Sequence, residues 1–266
     1  MATGSDEQLL RRACVDLELT GAVATVTLNR PEVKNAQTPS TWRALRAIGA
    51  GLDPAVRVVV VRGAGDSFSS GLDRRLLTPE GLPGEQSTLE LIRLPDDELT
   101  AAIEEFQEGF TWLRRDDIVS VAAVQGHAIG AGFQLALACD LRVLADDAKL
   151  AMREPSLGMV PDLTGTKPLV ELVGYSRALE ICATGRVVTA EEAHDLGLAT
   201  AVVPRAELDG TVEDLVAALT AAPRGAVSDT KALLRGASAR DLDAQRRAER
   251  DAQVRRFREL AALLEG

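Results

Sequence analysis

Alternation along the chain predicts an α/β protein with a mostly parallel sheet, and three observations carry that prediction. Strand-like and helix-like segments follow one another over most of the 266 residues, the order that yields parallel strands joined by helical crossovers. Val56 to Val61 reads as an apolar run suited to a strand covered on both faces. Val119 to Val124 is a second such run. It passes through Gly126, Gly130 and Gly132 directly into the apolar, helix-like stretch Phe133 to Cys139.

Each element has its own justification. Val15 to Leu19 and Val23 to Leu28 alternate about Gly21, a hairpin pattern that Asn29-Arg30-Pro31 ends. Thr38-Pro39-Ser40 opens a helix in which Trp42, Leu45 and Ile48 recur at the spacing of one buried face. Gly63 to Gly71 is a Gly- and Ser-rich loop. Arg74 to Asp97 is punctuated by proline and glycine and reads as a mobile or variable excursion. Glu98 to Arg114 is helical, and Leu141 to Ala145 is a strand. Lys167 to Val173, Ser176 to Thr184 and Thr189 to Leu196 form short helices, and Ala199 to Val203 is a last strand. From Leu208 the chain reads as helical, broken near Pro223 and ending in the amphipathic run Asp241 to Leu264. The expected organisation is an α/β core over residues 1–203 and a helical region over 204–266. The charged residues of the final helices form either a solvated face or an oligomer seam.

Composition narrows the classes of function. With 46% hydrophobic residues the chain can bury a large core. A net charge of −10 disfavours nucleic acid, whose phosphates attract a basic face. No apolar run approaches the roughly 20 residues that span a bilayer, and MATGSDEQLLRRAC lacks the apolar core of a signal peptide. Cys14, Cys139 and Cys182 are scattered and in no ligand spacing, which argues against a disulfide framework or a zinc site. The expectation is a cytoplasmic protein.

The segment from Gln125 to Asp162 holds the chemistry. Glycine at a strand-to-helix junction lets peptide N–H groups approach a ligand that a Cβ would obstruct. The unpaired N–H groups and dipole of the following helix favour a negative charge. Glu154 and Asp162 lie about twenty residues further on, in a polar interruption of apolar sequence. An anion hole with a carboxylate beside it is what enolate chemistry requires. The glycine spacing, Gly126-x3-Gly130-x-Gly132, is not that of a dinucleotide loop, and no P-loop, H-E-x-x-H or G-x-S-x-G string occurs.

In NRPEVKNA (Asn29 to Ala36), SFSSGLD (Ser67 to Asp73), HAIGAGFQLALACD (His127 to Asp140), REPSLGMVPD (Arg153 to Asp162) and ATGRVVTAEEAHDLGLATAVVP (Ala183 to Pro204), the chain resembles the crotonase, or enoyl-CoA hydratase/isomerase, family. The resemblance implies a crotonase/ClpP-like spiral of stacked ββα units. It implies C-terminal helices that assemble homotrimers, often paired as hexamers. It further implies a coenzyme A thioester substrate of the kind met in fatty-acid metabolism, with no metal or redox cofactor.

By the same resemblance the amides of Ser70 and Ala131 form an oxyanion hole, with Gly71, Leu72, Asp73 and Gly130 continuing the binding loop. An alanine at 131 fits only if its φ is negative. Lys34 and Ala36 fall in the segment that meets coenzyme A, although a solvated lysine accounts for Lys34 equally well. Lys231 could also reach coenzyme A, and His127 either touches ligand or packs as an ordinary histidine.

The acids bear on the reaction. Family hydratases hold water between two glutamates. Here the first position is Gln134 and the second is Glu154, four residues before Gly158. An amide cannot accept or return a proton near neutral pH, so two-acid hydration is disfavoured. A single base that moves a proton between two carbons of an enoyl thioester is sufficient for isomerisation, and Glu154 matches it. Asp162 matches a second proton-transfer acid of dienoyl-CoA isomerases or serves as a loop cap. Glu154 could instead pair with Arg153 or Arg142, and Gln134 could make only a structural hydrogen bond. Three readings stand: an isomerase, a hydratase that uses Asp162, and a binding subunit without chemistry.

Overall fold

The computed structural model of the protein describes residues 4–265. It opens with α1 (Gly4–Ala13), a helix not anticipated from sequence, followed by β1 (Val15–Thr20) and β2 (Val23–Leu28). These two pair antiparallel about Gly21, as the alternation predicts. Next come α2 (Pro39–Gly51), β3 (Val58–Gly63), α3 (Thr88–Ile92), α4 (Asp96–Thr111) and β4 (Val119–Val124). The central part runs through β5 (His127–Ile129), α5 (Ala131–Ala138), β6 (Leu141–Ala145), β7 (Lys149–Ala151), α6 (Thr166–Val173) and α7 (Tyr175–Thr184). It closes with β8 (Val188–Thr189), α8 (Ala190–Asp195), β9 (Ala201–Val203), α9 (Leu208–Ala221), α10 (Arg224–Ala237) and α11 (Leu242–Glu265).

The larger sheet has the order β1-β2-β3-β4-β6-β9, and every pairing after the hairpin is parallel. Its central strands are mostly apolar because both faces are covered, with Arg62, Ser120 and Arg142 as the polar exceptions. Alternate side chains divide between two layers: Val59 and Val61 pack with Leu45, Phe106 and Phe110 of α2 and α4, whereas Val58 and Val60 pack with Leu208 and Val212 of α9. The strand expected from Val56 starts two residues later. Arg57 interrupts the apolar run, and its guanidinium turns aside to donate to the Thr220 and Ala222 carbonyls.

A smaller sheet, β5-β7-β8, escapes sequence reading because strands of two or three residues show no period. It reveals the repeat of the fold. One strand enters the large sheet, the next enters the small sheet, and a helix returns: β4-β5-α5, then β6-β7-α6. A bridge from Ser69 to Ala128 joins the loop after β3 to this second layer.

The Arg74 to Asp97 excursion is tied down rather than loose. Asp73 caps a 3-10 turn at Arg74–Leu77, and Ser87 and Glu90 form a capping box for α3. Glu85 accepts hydrogen bonds from Thr38 Oγ1 and Ser40 N, each at 3.0 Å, which fixes the excursion to the start of α2. Lys231 is a staple between α10 and the sheet. Its buried ammonium donates to Ile118 O and Asp140 Oδ2, each at 2.7 Å, so it is not available to coenzyme A.

Candidate active site

A cavity of about 560 Å³ opens between the loop after β3, the start of α5, the turn at Glu154 and the excursion. Ser70, Gly71, Leu72, Gly130, Ala131, Glu154 and Asp162 all line it, so the structure brings together most of the residues singled out in the sequence.

The loop is shaped by buried polar side chains of the NRPEVKNA segment and its continuation. Asn35 Nδ2 donates to Ala64 O at 2.8 Å and to Ser67 O at 2.7 Å. Gln37 Nε2 donates to Ser69 Oγ at 3.0 Å while its carbonyl accepts from Trp42 Nε1 at 2.8 Å. Ser69 Oγ in turn donates to Asn35 O and accepts from Gly71 N. Asn35, Gln37 and Ser69 were absent from the candidate residues. Polar residues that must be satisfied once buried were the available signal.

This network decides which amide faces the cavity. Ser70 N donates to Lys34 O at 2.8 Å, so the expectation that Ser70 supplies an oxyanion donor is corrected. The next amides along the loop are used differently: Gly71 N is held by Ser69 Oγ, and Asp73 N donates to Gln37 O. Among the described residues, Leu72 N has no acceptor. Ala131 N begins α5 and likewise lacks one. The loop passes close to the start of α5, since a methyl group placed on Gly71 would stand 3.4 Å from Ala131 N. Ala131 is helical and has no positive φ, so the alanine is accommodated. Gly130 takes φ 52 and ψ −120, open to glycine alone, and this turn aims the Ala131 amide.

Ala36 and Asp73 support the loop from behind and do not line the cavity. Ala36 O accepts from Arg30 Nη1 at 2.8 Å. Asp73 is buried and held first by Arg75 and then by Arg30, which pull its carboxyl down to about 2. Lys34 contributes its carbonyl to the loop and carries its ammonium at the surface. His127 contacts Ser67 Oγ at 3.1 Å and is held below its ordinary pKa, mainly by burial.

Glu154 sits on a 3-10 turn (Glu154–Leu157) directly behind Gly130, where an added methyl group would stand 3.2 Å from Glu154 Oε1. Neither Arg153 nor Arg142 pairs with it: Arg153 is exposed, and Arg142 donates to the Leu198, Cys139 and Ala136 carbonyls. Glu154 Oε1 accepts from Gln134 Nε2 at 2.6 Å, while Oε2 is buried without a hydrogen-bond partner. Desolvation raises the Glu154 pKa above its ordinary 4.5, and the nearby Asp162 raises it further. Burial raises Asp162 as well. Gln134 is fully buried. Its carbonyl accepts from Leu163 N at 2.9 Å and Gly165 N at 3.2 Å, so it joins the Glu154 turn to the loop that follows Asp162.

The family profile of enoyl-CoA hydratase/isomerase matches residues 18–262. The chain belongs to the enoyl-CoA hydratase/isomerase family. A protein of Thermobifida fusca YX, solved in complex with CoA, superposes with a TM-score of 0.92 at 50% identity over 98% of this chain and 99% of that one. The fold of this enoyl-CoA hydratase/isomerase family member is therefore the crotonase fold. Two curated relatives carry names of different reactions. (E)-benzylidenesuccinyl-CoA hydratase of Thauera aromatica is 32% identical over 82% of this chain and 80% of its own. The peroxisomal Delta(3,5)-Delta(2,4)-dienoyl-CoA isomerase of Arabidopsis thaliana is 31% identical over 78% and 75%.

Proposed function

We propose that this family member shifts the double bond of an enoyl-CoA thioester, with Glu154 as the proton carrier. One observation carries the preference for isomerisation: the polar atoms of Gln134 are committed to Leu163 N, Gly165 N and Glu154 Oε1, at the position where a hydratase requires its second acid. In a 3-enoyl thioester, the free Glu154 Oε2 removes a proton from C2. The electron pair moves into the carbonyl, giving a dienolate oxyanion that the Leu72 and Ala131 amides receive. The same carboxyl returns the proton to C4, which leaves the double bond at C2–C3. Charge develops on the oxygen in this step, and preorganised donors there act most strongly. Gly130 leaves the space beside the Glu154 carboxyl open, and Lys34 offers an exposed cation to the phosphates of coenzyme A. No cofactor beyond the coenzyme A of the substrate is invoked.

Asp162 supports a second reading. It lines the same cavity and is near enough to raise the Glu154 pKa, so it could replace the missing acid of a hydratase. Incubation with 3-enoyl-, 2-enoyl- and dienoyl-CoA separates the readings. Isomerisation of the 3-enoyl thioester with deuterium uptake, and little hydroxyacyl product from the 2-enoyl thioester, is expected. Appreciable hydroxyacyl product would replace the isomerase by the hydratase, and binding without exchange would leave a non-catalytic subunit.

We further propose that the protein is a homotrimer or a dimer of trimers in the cytoplasm. Val254, Phe257 and Leu260 of α11 are each more than half exposed, and burying such side chains between copies is favourable. Three free cysteines suit a reducing compartment, and among the described residues no helix is long and apolar enough to cross a membrane. Light scattering is expected to give three or six times the 28.2 kDa chain mass; a monomer would refute the assembly.

A further inference from the structure

We infer that the acyl group accepted by the cavity is an uncharged hydrocarbon chain of medium to long length, and that a chain ending in a second carboxylate is rejected. The inference rests on the coenzyme A thioester reading and concerns the part of the substrate beyond the thioester.

Charge is the first argument. Two carboxyl groups, Glu154 and Asp162, already lie within the cavity, and a third carried into its apolar depth would be desolvated without compensation. Of the cations that line it, Arg74 and Arg153 are both exposed, and water screens them. Arg43, on the far side of the Phe106 ring at 5.3 Å, is already engaged by Glu105 Oε2 at 2.9 Å and Gln86 Oε1 at 3.2 Å. No buried, unpaired cation waits for a distal carboxylate among the described residues of the lining.

Shape is the second argument. The deep wall is aromatic and aliphatic: Trp42 and Phe106 meet with ring centroids 4.9 Å apart, and Leu76 and Leu163 close the space around them. Leu91, Leu99 and Ile103 continue this wall along the excursion and α4. A short acyl group ends before reaching Leu91, Leu99 and Ile103, whereas a longer one covers them. The excursion is pinned by Glu85 to α2, so its wall is in place before substrate arrives and adds little ordering cost.

Saturated thioesters test this without any reaction. Calorimetric Kd values are measured for butyryl-, octanoyl- and suberyl-CoA, each below its micellar concentration. Affinity is expected to rise by about threefold to fourfold per added methylene, so octanoyl-CoA, four methylenes longer, binds at least about 80-fold more tightly than butyryl-CoA. Suberyl-CoA, of equal length but with a terminal carboxylate, is expected to bind at least about 30-fold more weakly than octanoyl-CoA. Ile103→Trp, which fills the cavity, should weaken octanoyl-CoA much more than butyryl-CoA. Ile103→Arg, which supplies the missing cation, should invert the preference between octanoyl- and suberyl-CoA. Circular dichroism establishes that each variant is folded. Affinity independent of chain length, or suberyl-CoA bound as tightly as octanoyl-CoA, would overturn the inference while leaving the thioester reading intact. Failure of all three to bind would overturn both.

Discussion

Glu154→Gln is expected to lower turnover by about 10²–10⁴-fold and to leave the affinity for a saturated acyl-CoA within about threefold. The substitution keeps the shape of the side chain and its acceptor for Gln134 Nε2, so the turn behind Gly130 should hold its place. It replaces the buried Oε2 that lacks a hydrogen-bond partner, which is the atom assigned to carry the proton. The same change should stabilise the fold at neutral pH. Burial raises the Glu154 pKa above 4.5, so the folded state favours the protonated acid relative to the unfolded chain. That contribution is fully present below 4.5 and is lost as pH rises through the raised value. Above it, the wild-type protein pays to keep an ionised carboxylate out of water, and a glutamine does not. Thermal melts should therefore show the variant melting above wild type at pH 8, with the gap closing as pH falls toward 4.5. In the wild type, kcat/KM should rise with pH through the same raised value, because the base must be ionised. Survival of turnover in the variant would remove Glu154 from its role. A variant no more stable than wild type at pH 8 would contradict the buried, uncompensated carboxylate.

Parts of this arrangement were legible in the sequence for definable reasons. Thr38, Pro39 and the spacing of Trp42, Leu45 and Ile48 specify α2 through local chemistry, and each of those positions is buried or caps as expected. The central strands were legible because covering both faces leaves few polar residues in them, and Arg57 shifted the start of β3 by two residues. The small sheet was not legible. Its strands are too short to show a period, and β5 and β7 are held by pairing with each other. At the site, Glu154 was placed through the family resemblance, which sets an acid four residues before Gly158, and the turn that carries it closes locally. The identity of the free loop amide could not. Ser70 N is removed by the carbonyl of Lys34 and Gly71 N by the hydroxyl of Ser69, and which amide remains depends on how two distant segments pass each other. Gln134 was readable as a missing acid, but its partners at Leu163 and Gly165 belong to the folded path alone.

Gly71→Ala should abolish most activity through the loop that carries the Leu72 amide. Gly71 has φ +84, and a Cβ there would lie 2.4 Å from Ile129 O. That oxygen is backbone, and its strand is fixed because Ile129 N donates to Ser69 O at 2.9 Å, so the collision cannot be relieved by a rotamer change. The loop must retreat from the start of α5 and carry Leu72 N away from Ala131 N. Loss of one oxyanion donor costs about 2.7–4 kcal/mol of barrier, or about 10²–10³ in kcat. The left-handed backbone adds a stability cost of roughly 1–2 kcal/mol for any L-residue. Gly21→Ala separates the two effects. Gly21 also has a positive φ, +58, but its Cβ would meet nothing within 4 Å, and it lies in the β1–β2 turn, outside the cavity lining. It should lose only the left-handed contribution to stability and retain its turnover. Melting temperatures together with kcat for both variants test the assignment. If Gly71→Ala, folded, keeps its turnover within about fivefold, the oxyanion is held elsewhere, because that methyl group disturbs both amides, Leu72 N through its loop and Ala131 N through the backbone it meets.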